Sequence, residues 1–241
     1  MSIQALVQAD AGRLVVTISG SLDLATVATV RMRLMKCLAE QPDALLINVP
    51  DLEVREPLAL AVFATVARQA QRWPGVPVLV CGPQPEARRI LTMAAYRRLP
   101  VLPSVAAAEE LLEKDPRVPA SLCDELLPML GAARQARNVA TEACIRWDVP
   151  HLIAPASLIA SELVSNVIDH ARTIMDLRLT LRGRFLCLAV SDGSTTPPVP
   201  AGATVPSAAG GRGLMLVAAS AHSWGWLPCE DGKVVWASLL I

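Results

Sequence analysis

Ser157-Leu158-Ile159-Ala160-Ser161-Glu162-Leu163-Val164-Ser165-Asn166-Val167-Ile168-Asp169-His170-Ala171-Arg172 is the stretch on which the reading of the chain turns. Glu162, Asn166 and His170 are successive i,i+4 neighbours, so on a helix they share one face. Ile159, Leu163 and Val167 form an adjoining apolar row, which Leu158, Val164 and Ile168 widen. Such a helix buries one flank and holds an acid and an amide at its margin. The amide oxygen of Asn166 can ligate Mg²⁺, a hard cation that prefers oxygen. Glu162, one turn earlier, can orient or deprotonate an attacking hydroxyl or water. The same residues also suit a solvated Glu and a capped Asn on an ordinary amphipathic helix. What decides between these lies downstream.

Residues 174–181 alternate, with Met175, Leu177, Leu179 and Leu181 inward and Asp176, Arg178 and Thr180 outward. That is a strand with one wet face. Arg182-Gly183-Arg184 makes a hairpin turn, and residues 185–191 are the more buried partner strand. Asp192-Gly193-Ser194 stands at its end. A carboxylate there can accept a hydrogen bond from an exocyclic amine such as that of adenine, and Gly193 lets the backbone come close. An Asp-Gly turn is the other reading. Residues 195–209 hold four Pro and no periodicity, and a loop of such length inside a domain is often functional. Gly210-Gly211-Arg212-Gly213-Leu214 opens an apolar helix over 214–221. Glycines before a helix expose N–H groups at a positive dipole end, which suits phosphate; a flexible connector is the alternative. The pattern is neither a P-loop nor a dinucleotide fingerprint, because Gly-Lys-Ser/Thr is missing and Leu216 takes the third glycine position. Trp224-Gly225-Trp226 leads into a hairpin around Glu230-Asp231-Gly232 and a closing strand over 233–240.

Upstream, residues 13–19 read as a strand ended by Gly20, with Ser21-Leu22-Asp23 capping a helix over 24–39. Residues 44–49 are a continuous apolar run, as in a strand buried on both faces. Pro57 suits the first turn of a helix continuing over 58–72. Trp73-Pro74-Gly75 is a turn and 76–81 a further strand. Residues 86–96 are helical, 101–102 a brief strand, and Ser104 caps a helix over 105–114. Strands alternating with helices predict an α/β sandwich with a mainly parallel sheet. Two Pro at 116 and 119, within a charged stretch, mark a linker. A helix over 130–147, with Arg134, Arg137 and Arg146 on its polar side, and a break between Pro150 and Pro155 precede the central helix.

The 241 residues suit one large or two ordinary domains. A hydrophobic share of 53% against 18% charged supplies a sizeable core. Net charge is zero, which leaves no electrostatic case for nucleic acid or an anionic membrane. The longest apolar stretches meet charges before the ~20 residues a membrane span needs, and residues 1–10 lack the pattern of a signal peptide. Six isolated Cys, with no CxxC, read as small buried hydrophobes rather than a zinc site, in a reducing cytoplasm.

Taken in order, the acid–amide helix, strand-terminal Asp192, loop, glycine-led helix and final strand resemble the GHKL ATPase superfamily. Within it they resemble the anti-sigma-factor serine kinases, over about residues 125–241. Glu162-Leu163-Val164-Ser165-Asn166 with Asp169-His170-Ala171 resembles the N box. Asp192-Gly193-Ser194 resembles the G1 box, Gly211-Arg212-Gly213-Leu214 the G2 box, and Gly232-Lys233-Val234-Val235-Trp236 the closing strand. The resemblance implies that Asn166 ligates Mg²⁺, that Glu162 is the catalytic base, and that Asp192 reads adenine with Ser194 in the same box. It sets Gly211 and Gly213 against the phosphates, with Arg212 and His170 nearby, and counts Leu214 of the same box among the nucleotide-binding residues. The lid is short, as in the anti-sigma branch, and no His-bearing dimerisation helix pair precedes the domain, which disfavours a sensor histidine kinase.

Residues 3–113 resemble the STAS domain of anti-sigma-factor antagonists. The similarity rests on Gly20-Ser21-Leu22-Asp23-Leu24 and on the strand ending in Asn48-Val49-Pro50-Asp51-Leu52. Where that family carries a phosphorylatable Ser or Thr, this chain has Glu56-Pro57-Leu58-Ala59-Leu60, with no hydroxyl. Glu53 and Glu56 either imitate a fixed negative charge or are solvated loop carboxylates. The expected fold class is α/β in two domains: a STAS-like α/β sandwich over 1–114, a linker over 115–119, and a GHKL (Bergerat) two-layer α/β sandwich with a mixed sheet over 120–241. The implied function is a cytoplasmic regulator that binds Mg–ATP and acts as a serine/threonine kinase in a partner-switching pathway controlling transcription. Its partners would be a STAS-domain antagonist protein or a sigma factor. The STAS-like half, lacking an acceptor, could occupy the kinase in cis as a pseudo-substrate. Related kinases form homodimers, and apolar helix faces here serve core or interface alike. The alternative is a non-catalytic, ATP-responsive module that sequesters a partner.

Overall fold

The computed structural model describes residues 2–93, 96, 98–114, 119–198 and 213–241. The chain divides into two units, Met1–Val118 and Pro119–Ile241.

In the first unit, strand β1 (Gln4–Asp10) runs antiparallel to β2 (Arg13–Leu22) through Ala11 and Gly12, both at positive φ (45° and 79°). That pair of dihedrals matches the right-handed twist of the flanking strands. The other pairings are parallel: β2 with β3 (Leu45–Asn48), β3 with β5 (Val78–Cys81), β5 with β6 (Val101–Leu102), and the short β4 (Leu52–Val54) on the end of β2. Helices α1 (Val27–Ala39), α2 (Ala61–Arg72), α3 (Pro85–Leu91) and α4 (Val105–Glu113) complete the α/β sandwich. Ser104 caps α4, its Oγ accepting the Ala107 N–H at 3.2 Å.

Three boundaries differ from the sequence reading. Ser21 and Leu22 extend β2, and it is Asp23 that accepts the Thr26 N–H at 2.9 Å, so α1 starts later. Pro57–Leu60 is a 3₁₀ turn before α2. Helix α3 stops at Leu91, where the Thr92 hydroxyl folds back onto the Arg88 carbonyl at 2.9 Å. Glu53 and Glu56 have structural work: Glu53 Oε2 accepts the Ser21 hydroxyl and Glu56 Oε2 the Leu24 N–H, each at 2.8 Å. Leu58, at the position where the STAS resemblance places the acceptor, is 75% exposed.

The second unit is a five-stranded sheet, ordered β10-β11-β9-β8-β7, with helices packed on it. Its strands are β7 (Ala120–Leu126), β8 (Met175–Arg182), β9 (Phe185–Asp192), β10 (Ser223–Pro228) and β11 (Lys233–Leu240), and its helices α5 (Ala132–Arg146), α6 (Ile153–Asn166) and α7 (Gly213–Ser220). The two-layer α/β sandwich stands, but the expected mixed sheet does not: every pairing among the described residues is antiparallel. Ala156, Ile159, Ala160, Leu163 and Val164 of α6 bury against Leu177, Leu179, Leu188, Val190 and Val235 of the sheet. Each large aliphatic side chain so buried contributes about 1.5–3 kcal/mol before entropy is counted. Residues 150–171 are long and apolar enough to cross a membrane by length and composition, yet the apolar face of α6 is the centre of this core. Pro155 sits in the first turn of α6, where its missing N–H costs nothing, so the helix begins before the expected break. Thr180, expected outward, is buried at 6%.

Candidate functional site

Asp192 ends β9 and Lys233 begins β11, and the two are cross-strand partners. Lys233 Nζ donates to Asp192 Oδ1 at 2.8 Å, with side chains 4% and 0% exposed. The Ser194 N–H donates to the same oxygen at 2.8 Å, and Lys233 Nζ also reaches the Ser194 carbonyl at 3.3 Å. Oδ1 therefore takes two donors. Oδ2, equally buried, takes none among the described residues. A buried polar atom without a partner costs about 1–3 kcal/mol, more when charged, and needs a reason. A ligand N–H is such a reason, and the exocyclic amine of adenine supplies one.

The turn around Asp192 is built for close approach. Gly193 donates its N–H to Thr173 Oγ1 at 3.0 Å, and a Cβ on it would lie 3.3 Å from Thr173 Cγ2. A Cβ on Gly232 would run into the Asp192 carbonyl oxygen, so the hairpin before β11 must have glycine there. Ser194 contributes its backbone to the ion pair, and its Oγ accepts the Thr196 N–H at 3.3 Å.

Glu162 and Asn166 lie one turn apart at the C-terminal end of α6, both half-buried. Helix α6 packs against α7. At that junction a Cβ on Gly213, the first residue of α7, would lie 2.6 Å from Glu162 Oε2. The carboxylate of Glu162 is thus seated against the glycine that opens α7. Leu214, expected among the nucleotide-binding residues, buries its side chain in the core at 5% exposure, so only its backbone is available to a ligand. Gly211 and Arg212 lie outside the described residues.

The sequence reading takes an unbroken α-helix through Arg172. The α-helix instead ends at Asn166 and continues as a π turn over Val167–Ala171, closed by the Arg172 N–H on the Val167 carbonyl at 2.7 Å. Single π turns inside helices are frequent at functional sites. His170 is in this turn and exposed.

Two residues escaped the sequence reading as site residues. Thr173 backs the 192–194 turn, and Lys233 is the ionic partner of Asp192. The available signal was a lysine opening an otherwise apolar strand directly after Asp231-Gly232; it acquires meaning only with the β9–β11 register.

A family model for the STAS domain matches residues 2–108, and one for the histidine kinase-like ATPase domain matches residues 128–239. Among curated proteins none matches the chain. Solved structures similar to it include an anti-sigma factor antagonist from Mycobacterium paratuberculosis, at 25% identity and TM-score 0.40 over 46% of this chain and 95% of that one. Another is the Bacillus cell fate determinant SpoIIAA in its phosphorylated form, at 13% identity and TM-score 0.37 over 46% of this chain and 99% of that one. The ATPase domain implies ATP as ligand. The chain thus carries two domains, a STAS domain followed by a histidine kinase-like ATPase domain.

Proposed function

We propose that the second unit binds Mg–ATP and transfers its γ-phosphoryl group to a Ser or Thr of a partner protein, in a partner-switching regulator of transcription. The observation that carries the nucleotide part is the buried, unpartnered Oδ2 of Asp192. Asp192 accepts the exocyclic amine of adenine, and Asn166 offers its carboxamide oxygen to Mg²⁺. The N-terminal N–H groups of α7, beginning at Gly213, favour phosphate oxygens. Bound Mg–ATP supplies the phosphoryl group. Glu162, seated against Gly213, takes the proton of the acceptor hydroxyl as its oxygen bonds to phosphorus and ADP departs. Most of the rate comes from positioning and charge neutralisation, since phosphoryl transfer leaves little covalent work to the protein.

The acceptor class is a STAS-domain antagonist, with a sigma factor as the second binding partner. The first unit presents Leu58 where an acceptor hydroxyl would stand, so it serves as a docking unit and not as a phosphorylation target. We place the joint at 115–119 and the protein in the reducing cytoplasm, where its six free cysteines remain thiols. The test is calorimetric titration with Mg–ATP followed by transfer of γ-labelled phosphate to candidate STAS proteins. Glu162→Ala should lower transfer by about 10²–10⁴-fold and keep ATP binding. Binding without transfer by the unaltered chain would favour an ATP-responsive module that sequesters its partner. No binding at all would refute the nucleotide reading.

A further inference from the structure

Lysine is almost never fully buried unless it is paired, and Lys233 is 3% exposed in the first position of an inner strand. Its ammonium is committed to Asp192 Oδ1 and to the Ser194 carbonyl. With the Ser194 N–H on the same Oδ1, the carboxylate is gripped by one oxygen only. Without these donors it would be free to rotate and to share both oxygens among neighbours. With them, Oδ2 is the one free acceptor on the carboxylate among the described residues.

We propose that Lys233 is the positioning residue that sets base selectivity: by holding Asp192 through Oδ1 it reserves Oδ2 for a purine bearing an exocyclic amine and rejects one bearing a carbonyl. The inference rests on the nucleotide reading above and extends it to a residue that need not touch the nucleotide. An amine at the purine 6-position donates to Oδ2. A carbonyl there sets two acceptor oxygens against each other in a place from which water is excluded, and sites built around a buried hydrogen bond discriminate strongly. Lys233 also offsets the charge of a carboxylate that solvent does not reach.

The experiment compares Mg–ATP with Mg–ITP, which differ at that position, by calorimetry on the full chain, with urea unfolding of each variant alongside. The unaltered chain should prefer ATP by about 10²-fold or more. Lys233→Met should shrink this ratio at least tenfold through loss of ATP affinity, leaving ITP affinity within threefold. Lys233→Arg, which keeps a cationic donor, should retain most of the ratio. If Lys233→Met weakens both nucleotides equally, its role is structural and the inference is overturned; tighter ATP binding would overturn it as well. Should Lys233→Met fail to unfold cooperatively, Lys233→Arg decides, and a ratio as low as that of Asp192→Asn refutes the inference. Asp192→Asn separates the two levels. If it preserves the ratio, the nucleotide reading itself fails. If it abolishes the ratio while Lys233→Met preserves it, only the role of Lys233 fails.

Discussion

Gly213→Ala separates what this glycine does for the fold from what it does for the site. Gly213 is the first residue of α7, and helical backbone admits alanine. In a helix alanine is favoured over glycine by up to about 1 kcal/mol. The new Cβ, however, would lie 2.6 Å from Glu162 Oε2. An ordinary carbon–oxygen contact is about 3.3 Å or more, so one partner must retreat by roughly 0.7 Å. The carboxylate is the far end of a flexible side chain and α7 is packed against α6, so the carboxylate moves. Stability should therefore hold or rise by up to about 1 kcal/mol in urea unfolding. Catalysis should not hold, because displacing a reacting group by about 1 Å costs on the order of 10²-fold. The assay is γ-phosphoryl transfer to a STAS acceptor under saturating Mg–ATP. We expect a loss of about 10²-fold, and a Glu162→Ala/Gly213→Ala double variant no worse than Glu162→Ala alone. Transfer at the unaltered rate, or a double variant far below the single one, would refute the assignment of Gly213 as the seat of the base.

Burial pushes the Cys81 thiol up to about 12 and that of Cys187 up to about 11, whereas Cys123 is exposed. A thiol reagent pulsed at pH 8 should label Cys123 well before either; mass spectrometry showing equal rates would contradict the buried placement. Ser104→Ala removes the cap on α4 and should cost about 1 kcal/mol, with Ser104→Asn restoring most of it. Leu163→Ala opens the core under α6, where Leu163 is 1% exposed, and should cost about 2–5 kcal/mol in the unfolding of the second unit. Hydrogen bonds from Thr26 and from the Ser21 hydroxyl hold the Asp23 and Glu53 carboxyls below their ordinary values of 3.8 and 4.5. The unfolded chain thus binds more protons in acid, so the stability these groups add is full above those values and is lost as pH falls through the lower folded ones. Ser21→Ala should flatten the pH dependence of stability of the first unit in that window; an unchanged slope would show that the bond contributes nothing.

The parts of the fold legible in the sequence are those whose burial is repeated along the chain. Helix α6 announces itself because Ile159, Leu163 and Val167 recur at helical spacing, and β8 because Met175, Leu177 and Leu179 alternate with polar residues. Strands β1, β4 and β7 leave no such pattern, for the same physical reason. An edge strand buries little: Leu6 in β1 is 62% exposed, and in β7 only Leu126 is buried. Their ladders are held by backbone hydrogen bonds, which leave no mark on side-chain composition. The direction of the second sheet was also out of reach. A helix between two strands suggests a parallel crossover, and β9 and β10, joined through α7, do run in the same direction; but β11 inserts antiparallel between them, so all four pairings of the sheet are antiparallel.

The site divides along a related line. Glu162 and Asn166 are readable because helical spacing is local, and Asp192 because an Asp-Gly-Ser at a strand end is a local feature. On the proposed reading, what makes Asp192 selective is not local. Lys233 lies 41 residues further on, and nothing in Lys233-Val234-Val235-Trp236 distinguishes a buried ionic partner from a solvated strand end. The distinction arises when β11 inserts between β9 and β10 in a register that sets Lys233 opposite Asp192. Gly232 must then be glycine, since any side chain there would meet the Asp192 carbonyl. A carboxylate with both oxygens free would accept from any donor that reached it. One with Oδ1 already saturated presents a single acceptor, and on the proposed reading that restriction is how a strand pairing becomes a preference among bases.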